Sequence, residues 1–379
     1  MDEEKCSTKS YPWVPLEVTV EILLRLPAKS VARFSCVSKL WSSTTTTPWF
    51  IKSFAVHSSA RQSILSVKKV KGKQTFFSLP HHQQDPESPS AFVKNFEMMV
   101  PKGDHYPTYN NNIGNVFNIR DSICGLVCFE NIDSVIIWNP TLRQTVTLPQ
   151  PYKITKPLTS LLGYDPIAGE HKVLCMSVSL RKDLAKKNGE DDPQIFTLRA
   201  HESWRKTKTS PIHLSMTMRS WRCINGVLYY YGMDHNTVSF DVRSEKFLVI
   251  NKPDCDMSYL PSALHSLINY RGKLGWIYDG PSSVLWVLED VEKQEWSSRR
   301  LLVPFRRHGY LKLSGATGDG ELIYAPTGRP DRHGPFDEFY YYDLKTNITR
   351  KVTYRGIDDY WFNFVSFPNH TESLVSLVF

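Results

Sequence analysis

Five times along this chain a glycine turn opens a short apolar strand. The segments are CGLVCF from Cys124, GEHKVLCM from Gly169, NGVLYYY from Asn225, RGKLGWIY from Arg271 and DGELIYA from Asp319. Their glycines, at 125, 169, 226, 272 and 320, stand 44, 57, 46 and 48 residues apart. A second strand follows in each unit: VIIWNP, QIFTL, TVSFD, VLWVLED and FYYYD. Four of these five close at Asn or Asp, residues that favour tight turns. A third strand, as in TVTL, FLVI, EWSSRRLL and ITRKVTY, completes most units. A repeat of roughly 45–50 residues with three or four antiparallel strands has the size of a propeller blade, and such units hide their faces only by stacking radially. We expect a further blade around residues 61–80, completed by a last strand near residues 372–379 that closes the ring. Six blades are expected, with seven as the runner-up and a β-sandwich as the plainer alternative.

The N-terminal texture is different. Residues 16–26 read as a helix preceded by Pro15, a residue suited to a helical first turn. Glu17, Glu21 and Arg25 form one polar stripe at i, i+4, i+8. Apart from Thr19 the rest is apolar, covering roughly two-thirds of the circumference. One packing partner cannot hide that arc. Pro27 stops this helix. A second helical stretch, in one or two pieces, places Val31, Phe34, Val37 and Trp41 at spacings of three and four. The run TTTT at 44–47, followed by Pro48, is expected to end helical structure.

Composition excludes little. With 41% hydrophobic and 22% charged residues over 379 positions, a large core is possible. The net charge of +8 is spread along the chain. Its densest basic stretch, residues 61–73, alternates with apolar residues and reads as a solvated strand face before it reads as a nucleic-acid patch. The N-terminus, MDEEKCSTKS, has no secretory pattern, and no segment approaches the ~20 apolar residues of a membrane span. Seven scattered cysteines without a CxxC fit reduced thiols in nucleus or cytoplasm, where the sequons at Asn347 and Asn369 stay unused.

The two regions in this order resemble a plant F-box protein with a C-terminal F-box-associated domain. VPLEVTVEILLRLPAKSVARFSCVSKLW, followed by PWFI at 48–51, is similar to an F-box, with Val14-Pro15 where that family usually begins Leu-Pro. ICGLVCF…IIWNPTLRQTVTLP, LGYDPIAGEHKVL, CINGVLYYYG…SFDVRSEKF and NYRGKLGWI…LWVLEDVEKQEW are similar to the associated domain. The resemblance implies a multidomain α + β chain. Residues 1–12 would be a flexible N-terminus, 13–57 a helical F-box, and 58–379 an all-β propeller-like domain. It further implies the non-catalytic substrate receptor of a Skp–cullin–F-box ubiquitin ligase, needing no cofactor and no metal. The F-box would dock on a Skp-family adaptor, and the β domain would capture a target protein. Pro15, Leu16, Ile22, Leu26, Pro27 and Val31 are then the expected adaptor contacts. Phe34, Val37 and Trp41 are contact or internal core. The residues agree with this: a segment of about 45 residues rarely holds a core alone, and its excess apolar surface asks for a partner. The rival is that the helices pack on the chain's own β domain. Residues 1–55 alone are expected to hold the adaptor.

Catalytic signals are weak. Cys124 and Cys128 on one strand would stand ~13 Å apart, too far to share a zinc ion. His81-His82 lies in a Pro/Gln-rich loop, and SGATGDGE at 314–321 reads as a hairpin turn. Asp165, Asp241, Glu289, Asp290 and Asp343 mostly stand where turns need them. The tryptophans, among them Trp138, Trp204, Trp221, Trp276, Trp286 and Trp296, read as core. The alternative function is a propeller enzyme or carbohydrate-binding module with an incidental helical lead. Nucleic-acid binding would need the charges of 61–73 and 299–307 on one face. The loops at 81–112, 181–193, 252–266 and 325–336 are the candidates for target recognition.

Overall fold

The computed structural model describes residues 14–70, 73–80, 90–91, 93–99, 118–130, 134–152, 158–177, 192–199, 201–208, 221–232, 236–253, 265–278, 283–303, 311–326, 338–355 and 364–378. Four helices come first: α1 (Leu16–Arg25), α2 (Ala28–Ser35), α3 (Lys39–Thr45) and α4 (Pro48–Ser58). Pro27 separates α1 from α2, as its missing N–H and fixed φ require. The Ser38 hydroxyl accepts the Trp41 N–H and starts α3. Helix α3 does stop in the threonine run, at Thr45, but the expected end of helical structure there is corrected. Thr47 and Pro48 begin a helix, because the Thr47 hydroxyl accepts the Phe50 N–H and Pro48 occupies a first-turn position that needs no donor. Val20, Leu23, Leu24, Ala28, Val31, Phe50 and Phe54 form the buried core of this bundle.

Six sheets follow. The first contains β1 (Ser63–Val70), β2 (Lys73–Pro80) and β4 (Val93–Met99); the two-residue β3 (Ser90–Ala91) pairs elsewhere. The second is β5 (Asn118–Ile123), β6 (Leu126–Glu130), β7 (Val135–Asn139) and β8 (Gln144–Thr147). The third is β9 (Leu158–Asp165), β10 (Glu170–Ser177), β11 (Gln194–Thr197) and β12 (Arg205–Lys206). The fourth is β13 (Trp221–Ile224), β14 (Val227–Tyr231), β15 (Thr237–Asp241) and β16 (Lys246–Ile250). The fifth is β17 (His265–Tyr270), β18 (Lys273–Tyr278), β19 (Val284–Asp290) and β20 (Glu295–Arg300). The sixth is β21 (Leu311–Ala316), β22 (Leu322–Pro326), β23 (Glu338–Asp343) and β24 (Ile348–Arg355), with β3 at its outer edge. Finally β25 (Phe364–His370) returns to pair with β1 and becomes the innermost strand of the first sheet.

The inner strands β5, β9, β13, β17, β21 and β25 neighbour one another in turn, and the last meets the first. This is a closed six-bladed propeller. The ring closes one segment earlier than expected: residues 371–378 are not a strand, and β25 precedes them. Pro368 argues against a strand, but it sits in a bulge. Residues 368 and 369 together oppose Ile64, and Asn369 takes a φ of 63°.

Each unit also has a strand that the repeat did not reveal. The glycine turns join the innermost strand to the one that follows it. Cys124-Gly125, Asn225-Gly226 and Arg271-Gly272 have positive φ at both positions, the geometry of a two-residue hairpin turn. The inner strands carry polar residues that serve the centre of the ring. The Arg222 guanidinium donates to the carbonyls of Trp221 at 2.7 Å and Ser314 at 3.2 Å, and stands 3.7 Å from the Asp121 carboxylate. These partners lie on the second, fourth and sixth blades, so one side chain ties across the axis. Between the first and second blades Trp138 packs at a tilt against Phe76, with ring centres 4.3 Å apart. Trp138, Trp221 and Trp276 are core residues. Trp204, Trp286 and Trp296 are partly buried against neighbouring blades.

Candidate functional site

The helical bundle leaves a large apolar surface in solvent. On α1 the core side chains are Val20, Leu23 and Leu24, while Leu16, Val18 and Ile22 face water. Val18 and Ile22, at i and i+4, share one face of the helix, and Val14, which precedes it, is also exposed. Beyond the corner at Leu26 and Pro27, Phe34, Val37 and Leu40 are exposed, Val37 at 67%. Helix α4 adds Trp49 at 61% and Val56 at 66%. Single exposed apolar residues are ordinary on proteins, but this many on so small a domain make the bundle the candidate interaction surface.

Most of the expected contact residues fall on this surface, and one does not. Pro15, Leu16, Ile22, Pro27, Phe34 and Val37 are exposed; Leu26 and Trp41 are half-buried. Val31 is 1% exposed and belongs to the core of the bundle, so its assignment as a surface contact is corrected. It points inward because Ala28 and Val31 share the buried side of α2. Phe34 and Trp41 meet edge to face at 5.6 Å and brace α2 against α3. Val14, Val18, Leu40, Trp49 and Val56 are exposed apolar residues outside the expected set. Trp49 and Val56 are seven residues apart on α4 and become visible as a pair once that helix is recognised.

The electrostatics of the surface are one-sided. Glu17 and Glu21 lie on α1, with Glu21 paired to Arg25 at 3.3 Å. No Asp or Glu occurs between residues 22 and 84, so α2 and α3 add only the exposed cations Lys29, Arg33 and Lys39.

The propeller's candidate chemical groups have structural occupations. Asp165, Asp241, Asp290 and Asp343 each accept backbone N–H groups two or three residues ahead, which makes them turn residues. Glu289 binds Lys273 and the Ser297 hydroxyl. Burial pushes the thiols of Cys124, Cys175 and Cys223 up to about 12, far from a thiolate nucleophile. Among the described residues no His, Cys, Asp and Glu cluster is placed to hold a metal ion. Arg61 and Arg299, from the two basic stretches, donate to backbone carbonyls of Leu26 and Leu344. Residues 304–307 and His81-His82 lie outside the described residues. Segment 314–321 is the end of β21 and the turn into β22, as expected.

Residues 13–53 match the F-box domain family, and residues 63–377 match the F-box associated beta propeller domain family. The chain belongs to the F-box proteins with an F-box-associated β-propeller. Two Arabidopsis thaliana proteins named for their F-box are 39% and 37% identical to it, over 96% and 100% of this chain and 94% and 93% of their own lengths. A third F-box protein of that plant is 34% identical over 96% of the chain and 91% of its own length. The exposed face of α1, the Leu26-Pro27 corner and the α2–α3 surface thus all lie within the F-box. No helix among the described residues is long and apolar enough to cross a membrane.

Proposed function

We propose that this F-box protein is the substrate receptor of a Skp–cullin–F-box ubiquitin ligase, acting in the nucleus or cytoplasm. Its F-box docks on a Skp-family adaptor through Pro15, Leu16, Val18, Ile22, Leu26, Pro27, Phe34, Val37 and Trp41. The propeller holds a target protein. The receptor makes and breaks no bond; it raises the effective concentration of target lysines near a ubiquitin-charged enzyme.

The observation that carries this reading is the apolar surface that the bundle leaves unburied. Removing one large apolar side chain from water contributes ~1.5–3 kcal/mol. A surface of several such residues outweighs the loss of rotational and translational freedom on docking. The rival expectation, that the helices pack on the chain's own β domain, accounts for a different side of the bundle. Lys52 donates to the Ile167 carbonyl, and Leu374 packs on the helical core, while Ile22, Val37 and Trp49 stay free. These contacts are made where inner strands end in their short turns. The other end of the ring, where inner strands begin, is left for the target. The candidate recognition loops 81–112, 181–193, 252–266 and 325–336 lie largely outside the described residues.

The test is adaptor binding by full-length protein carrying Leu26→Ala with Pro27→Ala. Loss of a purified plant Skp-family adaptor in a pull-down supports the reading; normal retention by a folded double variant sinks it.

A further inference from the structure

The corner between α1 and α2 lacks the local groups that usually finish helices. The residue preceding α2 is Pro27, whose side chain cannot accept a hydrogen bond, and the first turn of α2 has no acidic residue. Instead the Glu372 carboxylate, 344 residues away, accepts the Ala28 N–H at 2.9 Å. A carboxylate there both satisfies a free donor and complements the positive end of the helix. The α1 side is finished in the same way with the opposite charge. The Arg61 guanidinium donates to the carbonyls of Leu26 at 3.1 Å and Arg25 at 3.3 Å. It also lies over the Phe54 ring at 5.7 Å.

Both capping groups come from the seam that closes the propeller. Arg61 stands two residues before β1 and Glu372 two residues after β25, and Ser63 is paired with His370. Glu372 is held in turn, its N–H donating to the Ser58 hydroxyl at 2.9 Å. Leu374 packs on the F-box core. The Asn139 side chain donates to the carbonyls of Ser373 and Val375, and Gln144 accepts the Leu377 N–H at 2.8 Å. The turn at Gly125 fits closely under this tail; a Cβ there would meet the Ser373 Cβ at 2.6 Å.

We propose that Glu372 and Arg61, with Leu374, are positioning residues of the adaptor surface. They hold the Leu26-Pro27 corner in its docking geometry, although they lie in the propeller half of the chain. The proposal rests on the receptor reading above for its partner. It also alters one expectation: a fragment of residues 1–55 lacks Ser58, Arg61, Glu372 and Leu374, so it presents a loosened corner and binds the adaptor more weakly than the whole chain.

The test uses full-length Glu372→Ala with Leu374→Ala, and separately Glu372→Gln, which keeps an acceptor oxygen. Adaptor affinity is measured by calorimetry, amide exchange by mass spectrometry, and propeller integrity by its thermal transition. The double variant is expected to bind about tenfold more weakly, with faster exchange across α1 and α2 and an unchanged propeller transition. Glu372→Gln is expected to recover much of the affinity. Affinity within about twofold of the parent overturns the proposal, whether or not exchange at the corner rises. If the unaltered protein binds no Skp-family adaptor, the receptor reading falls instead. Exchange at the Ala28 amide then decides whether the tail holds the corner.

Discussion

Val31 and Val37 stand six residues apart and have opposite surroundings. Val31 fills the bundle core, and Val37 faces water at 67% exposure. Val31→Ala is expected to cost roughly 2 kcal/mol of stability in chemical denaturation, because a packed site loses two methyl groups. Val37→Ala is expected to change stability by less than about 0.5 kcal/mol while weakening adaptor binding by about 1 kcal/mol in calorimetry. The sequence distinguishes these two poorly. Both stand in the same run of spacings of three and four, and the arc apolar enough for two partners does not say which side meets which. For the turn carboxylates the reading was easier. Asp241 and Asp290 close a strand and precede a turn, VRSE or VEKQ, whose last three residues are polar, which is where an Asx side chain reaches its own backbone.

At the level of elements, legibility followed periodicity. Helix α1 and the second and third strands of each blade are apolar runs with clear ends, so they stand out. Helix α4 does not, because Thr47-Pro48 reads as a terminator although the same pair serves as a start. Thr47→Ala is expected to cost about 1 kcal/mol, measured by thermal denaturation, through the lost acceptor for Phe50 N–H. The inner strands were hidden because residues such as Asp121, Arg222 and Ser366 interrupt their apolar pattern to serve the axis and its neighbours. Their turns are more demanding than the strands. Gly226 has a φ of 85°, and a Cβ there would approach Pro166 Cδ to 3.0 Å. Gly226→Ala is expected to destabilise the fourth blade by roughly 1–2 kcal/mol, read as a lower denaturation midpoint.

At the scale of the molecule, closure joins distant parts of the chain. His370, at the end of β25, hydrogen-bonds Ser122 of the second blade at 2.7 Å. His171 meets the Ile123 carbonyl at 3.1 Å. Burial lowers both histidines to about 4, so the unfolded chain takes up their protons at a higher pH than the folded one. Their contribution is complete above the ordinary value near 6.5 and is lost as the pH falls towards 4, on the order of 3 kcal/mol for each when fully protonated. Asp121 acts in the opposite sense, its carboxyl raised by burial against the pull of Arg222. Urea denaturation between pH 7.5 and pH 5 should show falling stability, and a smaller fall with His370→Gln.

The same closure sets how the two domains are joined. The segments flanking the strands that complete the ring also finish the helical corner, so the F-box has one side fixed to the propeller and another open. Its open side is the central claim. The most direct measurement is the affinity of full-length protein carrying Ile22→Asp with Val37→Asp for a purified plant Skp-family adaptor. Both side chains are exposed, so the account predicts an unchanged unfolding transition and a loss of affinity of about a hundredfold or more. Binding equal to that of the unaltered protein would contradict it.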